Sequence, residues 1–195
     1  CPYTFSKCKL IVKEMTDLLV LDLVDKGLVT DQLVLTIGYD IENLINPDIR
    51  KSYSGEVTID HYGRRVPKHA HGTANLLGHT SSTKLIMEAV MELFDKIVDA
   101  KLLVRRINVV ANHLLEESSV KKEDSFEQMD LFTDYSTLQK QREEEQTELL
   151  KERKIQEAML SAQKKFGKNA ILKGMNLEEG AMTIERNKQI GGHKA

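Results

Sequence analysis

The sequence predicts an α+β fold, a mainly antiparallel β-sheet with two helices on one face, followed by a charged helical extension. Three observations carry this expectation. Apolar residues recur at helical spacing in two segments, near positions 5–26 and 81–100. Between and after them, apolar and polar residues alternate with the period of two that marks half-buried strands. Beyond position 115 the globular texture gives way to a polar stretch and then a run of strong helix formers.

The elements follow in chain order. A helix is expected from Phe5 to Lys26, with Cys8, Ile11, Met15 and Leu18/Leu19 on its apolar side. Thr4 or Ser6 offers a capping oxygen and Gly27 a C-terminal stop. Leu33, Leu35 and Ile37 alternate within an expected strand from Gln32 to Tyr39. The run from Ile45 to Gly55 reads as loop from its Pro, Asn and Gly content. A short strand is expected around Val57 and Ile59, and a third extended segment from Lys68 to Gly78. A helix capped by Ser81, Ser82 or Thr83 follows. Ile86, Val90, Leu93/Phe94 and Ile97 form its apolar stripe, and Glu88, Glu92, Asp95, Lys96 and Asp99 face away. A last strand carries Ile107, Val109 and Ala111. The chain thus divides into a globular part (1–115), an acidic linker (116–136), a charged helix (137–166) and a Gly-containing tail (167–195).

Composition narrows the function. The chain has 195 residues, 30% charged and 5% aromatic, and carries a net charge of -2. This length suits one or two domains. No apolar run approaches the roughly 18 residues of a membrane span, so no membrane partner is expected. No secretory signal is present, and Cys1 and Cys8 are too few for a disulfide scaffold, so a cytoplasmic location is expected. The start at Cys1 suggests part of a longer protein. The near-neutral total conceals opposite segments. From His61 to Lys84 there are four cations, Arg64, Arg65, Lys68 and Lys84, and no Asp or Glu. Residues 116–134 instead hold seven Asp/Glu against Lys121 and Lys122.

The basic window suits a phosphate-backbone surface. Thr73, Asn75, Thr80, Ser81, Ser82 and Thr83 add hydroxyl and amide donors, and Arg105 and Arg106 add cations near the last strand. The small residues Ala70, Gly72, Thr73 and Ala74 would let a duplex approach the main chain, and the 81–100 helix would offer its N-terminus to a phosphate. A solvated basic edge strand explains the same composition equally well. Six contacting cations would give a log-affinity against log-salt slope near about -5. His61, His69, His71 and His79 invite a zinc hypothesis, but no Cys, Asp or Glu lies among them, so no metal site is expected. No phosphate loop, nucleophile elbow or Cys/His signature occurs, and no catalytic residue or cofactor is assigned.

Two further segments invite partners. Gln128-x-x-Leu131-Phe132 sets adjacent apolar side chains in a polar linker, where they would dock on the domain or enter a partner's pocket. The 137–166 helix is polar in its first half. Its second half carries Ile155, Met159, Ala162 and Phe166 at helical spacing, a stripe for packing on the domain, on a partner, or on a second copy in weak self-association. An interaction protein assembled through this helix, without DNA binding, is the alternative reading.

The run VPKHAHGTANLLGHTSSTKLIMEAVMELFDKI, then LLVRRINVVANHL and QMDLF, resembles the C-terminal part of a Y-family DNA polymerase. The nearest branch is the UmuC-like lesion-bypass polymerases of Gram-positive bacteria and their plasmids, whose ends the stretch from Lys165 to Ala195 also resembles. The resemblance implies a little finger domain with β-α-β-β-α-β order, its first strand ending at or just before Cys1. It implies that Arg64, Arg65, Lys68, Thr73, Asn75, Thr80, Ser81, Ser82, Thr83, Lys84, Arg105 and Arg106 grip the primer–template backbone without reading sequence. It implies that Gln128, Met129, Leu131 and Phe132 bind the sliding clamp, with Met129 where Leu is more usual. The parent would be a nucleotidyltransferase in DNA repair and the SOS response. Its magnesium-dependent palm, with fingers and thumb, would lie N-terminal to this chain, leaving these residues without catalysis of their own.

Overall fold

Residues 2–120, 135–190 and 193–194 are described by the computed structural model. The Gln128, Met129, Leu131 and Phe132 motif lies outside them.

The fold is α+β. Helix α1 (Phe5–Lys26) leads into β1 (Leu28–Tyr39), short helices α2 (Glu42–Ile45) and α3 (Pro47–Ser52), and a hairpin of β2 (Val57–Ile59) and β3 (Arg65–Pro67). Then come β4 (Ala70–Thr80), α4 (Thr83–Ile97), β5 (Val104–Asn112) and β6 (Leu115–Glu116). The C-terminal region holds α5 (Tyr135–Phe166), α6 (Thr183–Asn187) and the strand pair β7 (Gln189–Ile190) and β8 (His193–Lys194).

The main sheet has the order β4-β1-β5, all antiparallel, with β6 continuing beside the start of β1. The alternation anticipated in β1 decides its two faces. Leu33, Leu35 and Ile37 are fully buried beneath α1 and α4, while Gln32, Val34 and Thr36 point the other way. Ile86, Val90, Leu93 and Phe94 fill the helix side, and Phe94 meets Phe5 with ring centroids 5.0 Å apart. Gly27 ends α1 in the left-handed conformation that lacks a Cβ penalty, at φ 64°. Ser82 caps α4 by accepting the Leu85 N–H, but Thr4, at the start of α1, makes no side-chain cap.

Several expectations are corrected. Strand β1 starts at Leu28, four residues earlier than expected, because β6 supplies a partner for Leu28 and Val29. The segment 45–55 is partly helical: Asn46 Oδ1 accepts the Asp48 N–H at 3.0 Å and Pro47 opens α3. Asn43, fully buried, welds α2 to the start of β5 by donating to Asp40 O and Leu103 O and accepting the Leu103 N–H. The middle extended segments separate into the β2–β3 hairpin and β4. Tyr3 pairs with Val104 through two 2.8 Å backbone bonds, so the chain entering α1 already runs along β5.

Helix α1 is buried on more than one side, unlike the single stripe expected. Val12, Val20, Leu23 and Val24 join Cys8 in the core, where burial pushes the Cys8 thiol up to about 12. On another side, Glu14 is fully buried and Asp17 nearly so. The Glu14 carboxylate accepts from Met182 N (2.7 Å), Asn176 Nδ2 (3.0 Å) and Thr183 N (3.2 Å), and Asp17 pairs with Lys173. A buried carboxylate is costly unless fully bonded, and here the tail supplies the donors. Helix α5 runs two residues further toward the N-terminus than the expected 137–166 and docks beside α1 and α4. Ile155 and Phe166 of its expected stripe are exposed, while Gln156 and Met159 are buried. The surface α5 covers is mixed: Gln156 bonds to the start of α4, while Leu160 packs against the core.

Glu14→Ala should strand three donors, at a cost of about 1–3 kcal/mol. Hydrogen exchange should then show faster exchange at Met182 and Thr183 with the β1 ladder still protected.

Candidate nucleic-acid interface

The outward residues of the main sheet lie in cross-strand rows. Asn75, Gln32 and Asn112 form one row, Thr73, Val34 and Val110 the next, and His71, Thr36 and Asn108 the third. Arg106 stands opposite Gly38. Gln32 Nε2 donates to Asn75 Oδ1 at 2.9 Å, and Asn112 Nδ2 donates to Gln32 Oε1 at 3.0 Å, so an amide ladder spans all three strands. Thr36 Oγ1 lies 2.9 Å from His71 Nδ1. These rows carry no Asp or Glu. A Cβ on Gly38 would lie 3.2 Å from the Arg106 Cβ, so the glycine leaves the Arg106 stem room over the sheet. The face is concentrated in neutral donors, with one guanidinium at its end. Such donors suit phosphate oxygens and sugars.

The expected backbone-binding residues fall into three groups. Thr73, Asn75 and Arg106 lie on the open face. Arg105 sits beside it at the β1–β5 bulge, 59% exposed, with Nε 3.8 Å from Asp40 Oδ2. Arg64, Arg65 and Lys68 belong to the hairpin and the step into β4. Arg64 is held by Asp60 at 2.7 Å and Lys68 by Glu56 at 2.7 Å. The Arg64 hydrogen bond holds the Asp60 carboxyl below its usual range, and the same contact raises the guanidinium. Arg65 is exposed and has no ion pair among the described residues.

The third group turns away from the open face. Thr80 Oγ1 accepts the Ser82 N–H, while Ser81 and Ser82 are buried under α5. Ser82 Oγ donates to Glu152 Oε2 at 2.7 Å, and the Lys84 N–H donates to Glu152 Oε1 at 2.9 Å. Gln156 Nε2 donates to Ser81 O and Thr83 Oγ1. Lys84 Nζ faces Glu148 at 3.4 Å. The anion-seeking end of α4 is thus filled by a carboxylate of this chain. The sequence reading missed this because Glu152 lies 68 positions from Lys84.

The small residues of β4 are also reassigned. Ala70 and Ala74 pack against the core, and a Cβ on Gly72 would meet Leu93 Cδ1 at 2.8 Å. They let α4 approach the sheet. Of the four, only Thr73 faces outward.

The histidines do not converge. His69 and His71 have ring centroids 6.3 Å apart, His61 sits against Tyr62 on the hairpin, and His79 lies near Asp31 at the far end of β4. Among the described residues no three His, Cys, Asp or Glu side chains gather as a metal would require. No helix of the described residues is long and apolar enough to cross a membrane.

Two comparisons bear on these observations. The family model described as the impB/mucB/samB family C-terminal domain matches residues 3–131. It spans the sheet, α1, α4 and the hairpin, and stops before α5. No curated protein matches the chain.

Glu152→Ala should lower stability by about 1–2 kcal/mol, since Ser82 and the Lys84 N–H lose their shared acceptor. Urea denaturation checks this, and Glu152→Gln should recover part of the loss because one amide oxygen can still accept.

Proposed function

The chain belongs to the impB/mucB/samB family and carries its C-terminal domain, the C-terminal region of Y-family, UmuC-like DNA polymerases; from this we propose that it is a non-catalytic module that grips primer–template DNA during lesion bypass. The observation that carries the reading is the set of three outward rows on the open sheet face, which hold no Asp or Glu, with their amide ladder and Arg106 at one end. DNA is held there through its backbone, so binding is independent of sequence. Nucleotidyl transfer and its magnesium belong to a palm outside this chain, with fingers and thumb, in a cytoplasmic SOS-response polymerase of Gram-positive or plasmid type.

The ion pairs modify the electrostatic expectation. Arg64, Lys68 and Lys84 already face Asp60, Glu56 and Glu148, so they release few counterions on binding. Arg105 likewise faces Asp40, with Nε 3.8 Å from Oδ2. Arg65 and Arg106 remain, and about 0.9 per phosphate gives a log-affinity against log-salt slope near -2 in place of about -5. Fluorescence anisotropy on duplex DNA across a salt series measures it. Arg65→Ala and Arg106→Ala should each reduce the slope by about 1. A salt-insensitive or absent interaction would sink the reading. A dimer that dissociates on Ile155→Glu and binds no DNA would select assembly through α5 instead, where Leu149, Leu150 and Ile155 are exposed.

Clamp binding is proposed for Gln128, Met129, Leu131 and Phe132. Leu131→Ala with Phe132→Ala should abolish binding to immobilised sliding clamp while leaving the thermal unfolding of the domain unchanged.

A further inference from the structure

The hairpin tip presents an aromatic ring in a way the backbone-gripping reading does not use. Tyr62 is 76% exposed and Ile59 beside it 73% exposed. The loop that carries Tyr62 is nevertheless tightly built. Asp60 Oδ1 accepts from Tyr62 N and Arg64 N, both at 2.9 Å, and Asp60 Oδ2 accepts from Arg64 Nε at 2.8 Å. The Asp60 N–H donates to Arg64 O, and Gly63 takes a left-handed φ of 75° that completes the turn. Asp60 is therefore a scaffold group inside the loop. It also brings the Arg64 guanidinium over one face of the Tyr62 ring, 5.0 Å from the centroid. His61 meets the ring edge-on at 5.5 Å. One ring face is thus backed by a cation and the rest of the ring opens to solvent.

An exposed ring on a hydrogen-bonded turn, with a cation behind it, is a stacking platform. The surrounding charge is positive once Asp60 is taken up by Arg64, with Arg65 exposed alongside. An anionic polymer whose units carry π-faces meets both features. In a duplex the base faces are already stacked on one another, so only unpaired bases can use the ring. The hairpin strand β3 also packs against β1, which runs into Asp40, the residue that faces Arg105 at 3.8 Å.

We propose that Tyr62, backed by Arg64, stacks on an unpaired base of single-stranded DNA flanking the duplex held by the sheet. The proposal rests on the DNA-gripping reading above and adds a contact of a different kind. Phosphate contacts weaken with salt, whereas stacking hardly does.

The test uses the full chain and two labelled probes with the same duplex, one blunt and one with a single-stranded extension. Fluorescence anisotropy gives both affinities across a salt series. Tyr62→Ala should weaken binding to the extended probe roughly fivefold or more, leave the blunt probe unchanged and leave the salt slope intact. Tyr62→Phe should bind the extended probe like the wild type, since the ring is kept. Equal losses on both probes, no loss on either, or a Tyr62→Phe loss matching Tyr62→Ala would each overturn the stacking contact. Wild-type protein that grips the blunt duplex with the expected slope, while Tyr62→Ala changes the affinities for both probes by the same factor, overturns this inference alone. Wild-type protein that binds neither probe overturns it together with the reading beneath it.

Discussion

Burial of one face of the main sheet constrains everything else in this protein. Leu33, Leu35 and Ile37 must point at α1 and α4 to leave water, and a strand's side-chain period of two then forces Gln32, Val34 and Thr36 outward. Antiparallel register carries the same division into β4 and β5. An inner face of Ala70, Gly72 and Ala74 allows α4 to lie close, and the same register lines up Asn75, Gln32 and Asn112 outside. The candidate interface and the core are therefore two consequences of one pattern. A one-residue slip would exchange them.

The second organising device is the carboxylate used as an internal ligand. Glu14 gathers two backbone N–H groups and the Asn176 amide, and so fixes the tail on α1. Glu152 takes the hydroxyl of Ser82 and the N–H of Lys84, and so fixes α5 on the start of α4. Asp60 shapes the hairpin tip in the same manner. Each of these acids looks like ordinary surface charge in the sequence. Each is consumed by donors that would otherwise stand unpaired, which is why segments outside the family match fold back onto the domain.

These pairings also sort the cations. A guanidinium or ammonium already facing a carboxylate has little counterion to release, so a composition count overstates the binding surface. Arg106 keeps its freedom because its neighbours on the open face are amides, hydroxyls and a glycine.

The α+β class, the existence of α1, β1, α4 and β5, the Gly27 stop and an N-cap among Ser81, Ser82 and Thr83 were legible in the sequence, because each rests on local periodicity or capping chemistry, and the structure selects Ser82. The helical character of 42–52 was obscured by Pro47, which opens α3 rather than breaking it. Thr73, Asn75 and Arg106 were readable as candidates, but their membership of one face needed the register of three strands. The burial of Ser81 and Ser82, the inward turn of Gly72 and the roles of Glu14 and Glu152 depend on residues up to 169 positions apart. By itself, the sequence determined which segments fold and which of their side chains seek water. The tertiary structure alone decided which charges meet, because ion pairing and capping depend on distance in space, and no local pattern records that.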